Sequence, residues 1–84
     1  MELGLAEKVL DLLARELNVN ESDLAPRKLL REDLGMDSII ALNLIFAAER
    51  ELNLTISEED VVRLVTVEDL ELLVRRLAKS SPLQ

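Results

Sequence analysis

Wherever apolar residues in this chain form a pattern, they recur at helical spacing, and nowhere do they alternate as a strand requires. From Leu3 to Leu17 they stand at Leu3, Ala6, Val9, Leu10, Leu13 and Leu17, with Glu7, Lys8, Asp11, Arg15 and Glu16 between them. That is one apolar stripe on a helix of period 3.6. From Ile39 to Ala48, ten residues include a single polar side chain, Asn43, and read as a second, strongly apolar helix. Leu70, Leu73, Val74 and Leu77 share one face of a last helix. Acids lead that helix and Arg75, Arg76 and Lys79 close it, as the helix dipole favours. The expected fold class is all-α, a small four-helix bundle with three long helices and one short.

Local signals set the boundaries. Asp37 is a good N-cap and Gly35 supplies backbone freedom in the turn before it, so the second helix starts at Asp37 or Ser38 and ends near Leu52-Asn53. Ser57-Glu58-Glu59-Asp60 has the form of a capping box with Asp for Glu, opening a short third helix through Leu64. Thr66-Val67-Glu68-Asp69 repeats it before the fourth. Between the first two helices, Asn18 to Asp23 favours turns, and Pro26 keeps Ala25 out of helical geometry. The segment from Asn18 to Asp37 is therefore a long connection, pinned to the bundle by Leu24, Leu29, Leu30 and Leu34. Loops of this length in a compact domain are usually functional. One domain spanning residues 1–79 is expected, with residues 80–84 a flexible C-terminal tail.

Composition narrows the function. The chain is 49% apolar but only 1% aromatic, so the core is built from Leu, Val, Ile and Ala, with Phe46 the single ring. Seventeen acids against ten bases give a net charge of −7 and a pI near 4.5. Such a field repels nucleic-acid phosphates and anionic membranes, and favours partners with basic patches. With no cysteine and no histidine, disulfides and the usual zinc and iron–sulfur ligand sets are excluded; carboxylates leave a Mg²⁺ or Ca²⁺ site open, but no spaced Asp-x-Asp-x-Asp loop is present and no metal site is expected. No apolar stretch approaches the ~20 residues that cross a bilayer, and Met1-Glu2-Leu3-Gly4 does not read as a signal peptide. A cytoplasmic monomer without membrane insertion is expected. Glu58, Glu59 and Asp60 crowd one helix start, so salt or a divalent cation is expected to stabilise the fold.

The chemistry concentrates at Asp33-Leu34-Gly35-Met36-Asp37-Ser38, where an acidic, glycine-containing loop hands a serine to the first turn of the apolar helix. Ser38 has no obvious base to activate it, and general acid–base work would fall to carboxylates alone with no convergent pair evident. The chain is therefore not expected to be an enzyme. Ser38 reads as a place where something is attached. An anionic group there would meet unsatisfied backbone N–H groups and the positive end of the dipole, while neighbouring Asp37 opposes it modestly.

Leu34-Gly35-Met36-Asp37-Ser38 resembles the Asp-Ser-Leu attachment motif of acyl carrier proteins, with Ile39 where the family usually has leucine. The order of elements is similar too. Leu52 to Ser57 stands where the family links its second and third helices, and Val65 to Leu70 is similar to the family's threonine-valine entry to the last helix. The resemblance implies an acyl-carrier-protein-like bundle with 4'-phosphopantetheine covalently on Ser38, Asp37 as motif residue and cap, and Gly35 as turn. It implies a carrier that holds acyl intermediates as thioesters on the arm. The implied partners are a phosphopantetheinyl transferase and the acyl-loading and acyl-using enzymes of lipid or specialised, polyketide- or peptide-like, biosynthesis.

This chain departs from the family along its second helix. Ordinary fatty-acid carriers present an acidic outer face there. Here Ala41, Leu44, Ile45, Ala48 and Leu52 form the natural core face, and the opposite face carries Ile39, Asn43, Phe46 and Arg50, flanked by Ile40, Leu42 and Ala47. Ile40 and Asn43 stand where the family commonly has acids, and Arg50 reverses the sign at a third position. Either Ile39, Leu42 and Phe46 fold back on the third helix and loop, or Ile39, Ile40, Asn43, Phe46 and Arg50 meet partners through mainly apolar contacts. The basic cluster Arg27, Lys28 and Arg31 reads as a solvated turn, or pairs with Glu32 and Asp33, or contacts a partner. An alternative function is a helical interaction module that never receives the arm and binds through its apolar second helix.

Overall fold

A computed structural model describes residues 4–80 of the chain. Four helices follow in order: α1 Leu5–Leu17, α2 Ser38–Leu52, α3 Glu58–Val62 and α4 Val67–Ser80, with a 3-10 turn at Glu21–Asp23 between the first two. Helix α1 packs on both α2 and α4, and the chain is the all-α bundle of three long helices and one short. Residues 81–84, and with them most of the expected tail, lie outside the described residues, as does Leu3.

Each helix end has a local cause. Gly4 precedes α1, its N–H donating to the Glu7 carboxylate at 3.2 Å. Helices α1 and α2 both end on an asparagine in the left-handed region, Asn18 at φ 58° and Asn53 at φ 56°, the conformation asparagine tolerates best after glycine. Helix α3 ends at Val62, two residues before the expected Leu64. Arg63 and Leu64 close it with short-range bonds to Asp60 and Val61, and Leu64 leaves the helix to enter the core.

The core is aliphatic. Val9, Leu12, Leu13, Leu30, Leu44, Val67, Leu70 and Val74 are fully buried, and no polar or charged side chain joins them among the described residues. Leu12 adds to the expected α1 stripe, while Ala6 and Leu10 sit at its edge, half-buried. Two expectations for α2 are corrected. Ala47, placed beside the outer face, is buried, and Ile40 is half-buried and packs against the core. Both lie at the border of the α2 stripe, where the long loop and the other helices widen the contact beyond what one wheel shows.

The connection from Asn18 to Asp37 is tied down along its length. Leu24, Leu30, Leu34 and Met36 are buried and Leu29 half-buried. Its middle runs against the start of α4 in an isolated antiparallel bridge, Leu29 to Thr66. Leu30 N–H donates to Val65 O at 2.8 Å, Val67 N–H to Lys28 O at 3.1 Å and Glu68 N–H to Pro26 O at 3.0 Å. The loop thus satisfies first-turn donors of α4 that have no partner within the helix.

Candidate functional site

The site begins with a closed loop. Leu29 N–H donates to the Asp33 carboxylate at 2.9 Å, and Asp33, Leu34 and Gly35 return backbone N–H bonds to Leu29, Leu29 and Arg31. Met36 N–H donates to Leu30 O at 2.9 Å, and both side chains are buried. Gly35 makes the return possible at φ 76°. A Cβ there would meet nothing within 4 Å, so the need for glycine is one of backbone conformation rather than space. Asp33, one of the two acids that one reading paired with the basic cluster, accepts the Leu29 N–H in this turn. Arg27, Lys28 and Arg31 are all exposed, and none of them enters an ion pair among the described residues.

The loop delivers Asp37 in extended geometry and Ser38 as the first residue of α2. The Asp37 carboxylate accepts the Ile40 N–H at 2.8 Å, and Ala41 N–H donates to Asp37 O at 2.8 Å. Among the described residues nothing accepts the N–H groups of Ser38 and Ile39, and the exposed Ser38 hydroxyl enters no hydrogen bond. Those two donors and the dipole make this end of α2 a favourable place for an anion.

Ser38 also lines a groove of about 380 Å³ between α2 and α3. Ala41, Leu42, Ile45 and Phe46 form the α2 wall, and Ile56, Val61 and Val62 the other. Arg31, Glu49 and Glu58 add charge at its margin. Glu49 is committed, accepting the Ile56 N–H at 2.8 Å and so fixing the linker below the groove. The α3 wall is held by Ser57, which caps Asp60 N–H at 3.2 Å, and by Arg76 of α4, which donates to the Asp60 carboxylate at 2.9 Å. The Ser57 hydroxyl, and then Arg76, hold the Asp60 carboxyl below its ordinary range against the opposing effect of burial. Asp60 is thus already engaged, and no group of three or more acids among the described residues is placed to hold a metal ion.

The outer face of α2 is open. Ile39 is 72% exposed, Phe46 54% and Leu42 53%, with Val62 of α3 79% exposed beside them. Phe46 is half exposed and borders the groove beside Val61 and Val62 of α3, so part of its ring lies towards the third helix and part faces solvent. Asn43 and Arg50 are exposed on the same helix. Arg50 lies 3.6 Å from Glu51, whose carboxylate is bound chiefly by Arg15 of α1 and held low by that bond. The sign reversal at Arg50 is thus partly compensated. Of the expected site residues, the fold brings Gly35, Asp37 and Ser38 together at one end of α2 and spreads Ile39, Asn43, Phe46 and Arg50 along its outside, with Ile40 half withdrawn. The α3 wall and Arg31 in the groove lining were not apparent from local sequence patterns, because their placement depends on loop closure.

Comparison with known proteins places the chain by sequence. The family model described as a phosphopantetheine attachment site matches residues 7–74. A curated acyl carrier protein from Chlorobium phaeobacteroides (strain DSM 266 / SMG 266 / 2430) is 33% identical over 67 residues, which cover 80% of this chain and 86% of that protein.

Proposed function

This chain belongs to the acyl carrier protein family, carriers rather than catalysts that bear a covalent 4'-phosphopantetheine, and on that premise we propose that Ser38 is its attachment residue. The observation that carries the reading is the closed Arg31 to Met36 loop, followed two residues on by an exposed, uncommitted hydroxyl that lines an apolar groove. The residues fit the group. Ser38 offers the oxygen, the free N–H groups of Ser38 and Ile39 face the position of an anion, and Asp37 holds the helix start without occupying them. When attached, the arm supplies a terminal thiol on which acyl groups are held as thioesters.

The chain's own contribution is presentation. Gly35 and Asp37 set the direction in which Ser38 faces solvent, and the aliphatic walls of the groove offer an apolar surface that excludes water from what lies against it. Partners are the phosphopantetheinyl transferase and the enzymes that load and use the acyl group, in lipid or specialised biosynthesis of the polyketide or peptide-like kind. They meet the outer face of α2 through Ile39, Asn43, Phe46 and Arg50, with Ile40 contributing its exposed part. The face is apolar where an acidic stripe would otherwise select strongly basic partners, and this supports enzymes with less basic docking surfaces. A cytoplasmic monomer, with residues 1–79 as the carrier domain, completes the reading.

Intact mass spectrometry tests the attachment. Incubation with coenzyme A and a promiscuous transferase is expected to add one phosphopantetheine mass. Ser38→Ala is expected to abolish the gain and leave the helical circular dichroism unchanged, since the side chain is exposed and enters no hydrogen bond. A mass gain that persists in the alanine variant sinks the assignment.

A further inference from the structure

Resting on that reading, the groove lining points to one more residue. Arg31 and Ser38 line the same groove, although seven positions separate them in the chain. The backbone brings them together. Gly35 N–H reaches Arg31 O at 3.2 Å and Met36 N–H reaches Leu30 O at 2.9 Å, so residues 31–36 form a loop whose two ends lie side by side. Buried Leu30 and Met36 anchor both ends. Arg31 leaves one end while Asp37-Ser38 leaves the other.

The charges around that groove are otherwise unfavourable to a phosphodiester. Asp37 is adjacent, Glu58 and Glu49 line the groove, and the chain as a whole carries −7. Arg31 is the single cation among the described residues that line the groove. Arg15 and Arg76 are held by carboxylates, whereas Arg31 enters no ion pair and is exposed. An unengaged guanidinium lining the same groove as the attachment residue is suited to a phosphate, which it binds through two parallel N–H donors.

We propose that Arg31 is a positioning residue for the phosphodiester of the arm, pairing with it and so directing the arm along the groove between α2 and α3. The role is electrostatic and local. It does not touch the thiol, and it is not needed for the protein to fold.

The test uses wild type, Arg31→Ala and Arg31→Lys, with Arg27→Ala as a loop-cation control, each converted to the phosphopantetheinylated form and checked by intact mass. Phosphorus NMR then reports the mobility of the phosphodiester. In wild type its resonance is expected to be broader, and to relax faster, than in Arg31→Ala. Arg31→Lys should fall between them, and Arg27→Ala should match wild type. Raising salt to 0.5 M should bring wild type towards the Arg31→Ala values. The melting temperature of the converted protein, relative to its own unmodified form, should be higher by about 2 °C in wild type than in Arg31→Ala. Identical phosphorus relaxation and identical conversion shifts in wild type and Arg31→Ala overturn the role of Arg31 and leave attachment at Ser38 standing. No mass gain on wild type overturns both.

Discussion

Phe46, the single ring in the chain, sits half exposed on the rim of the α2–α3 groove, and its position separates two kinds of loss. A buried phenylalanine cut to alanine costs about 3–5 kcal/mol of stability. With half of its surface already in water, Phe46→Ala is expected to cost roughly 1 kcal/mol. If it anchors a partner enzyme, affinity should fall by about 2 kcal/mol, near 30-fold. Thermal melting and partner titration on the same variant check both figures. A stability loss above about 3 kcal/mol with unchanged affinity per folded molecule would show that the ring serves the fold alone. At this scale the sequence was readable where the cause is local: Asp37 caps Ile40, and Gly35 adopts positive φ. It was not readable at Ile40, Ala47 and Arg31, whose surroundings are set by segments far away in the chain.

Among the elements, the start of α4 is the most completely capped. Thr66 Oγ1 accepts Asp69 N–H at 3.1 Å, while the Asp69 carboxylate accepts both Thr66 N–H and Val65 N–H at 3.0 Å. Thr66→Ala is therefore expected to destabilise by about 1 kcal/mol, or about 5 °C in melting temperature. The backbone N–H groups of Thr66, then Val65, hold the Asp69 carboxyl below its ordinary range. A depressed folded pKa stabilises above the unfolded value, about 3.9 for aspartate. That contribution is lost as pH falls through the folded value. Melting Asp69→Asn beside wild type from pH 7 to pH 2 should show a gap at neutrality that closes in the acid limb. A gap that widens on acidification contradicts the capping role. The reciprocal Thr66–Asp69 pair was legible in the sequence, as was the Ser57 cap. The clamp of Pro26, Lys28 and Leu30 on residues 65–68 was not, because it is made of backbone groups and a proline-containing loop carries no pattern that names its partner.

For the whole molecule, an excess of seven negative charges on so small a domain is self-repelling, and screening should relieve it. The ion pairs are exposed or partly exposed, such as Arg15–Glu51 and Arg76–Asp60, and contribute little that salt can remove. Raising sodium chloride from 20 mM to 0.5 M is thus expected to raise the melting temperature. Because no group of three or more acids among the described residues is placed to hold a metal ion, a millimolar divalent cation should do no more than sodium chloride of equal ionic strength. A melting temperature indifferent to salt, or a saturable divalent effect beyond ionic strength, counts against this account. The helical class and order of elements followed from periodicity, since a bundle of aliphatic stripes has few other ways to hide them. The groove did not, because it is what remains between helices after they pack.

Helix α3 makes one wall of that groove with five residues, none of them fully buried. Beyond its own serine cap, its side chains are held to the rest by one exposed arginine and the partly buried Val61. Little free energy is therefore lost when this segment opens, and it should open often, independently of the global unfolding that releases α1, α2 and α4. Amide hydrogens of residues 58–62 would then exchange at rates set by this local fluctuation, orders of magnitude ahead of the Leu44 and Leu70 amides. One side of the groove is a compliant wall facing a stiff one, and the width of the space between them is a thermally averaged quantity rather than a fixed dimension.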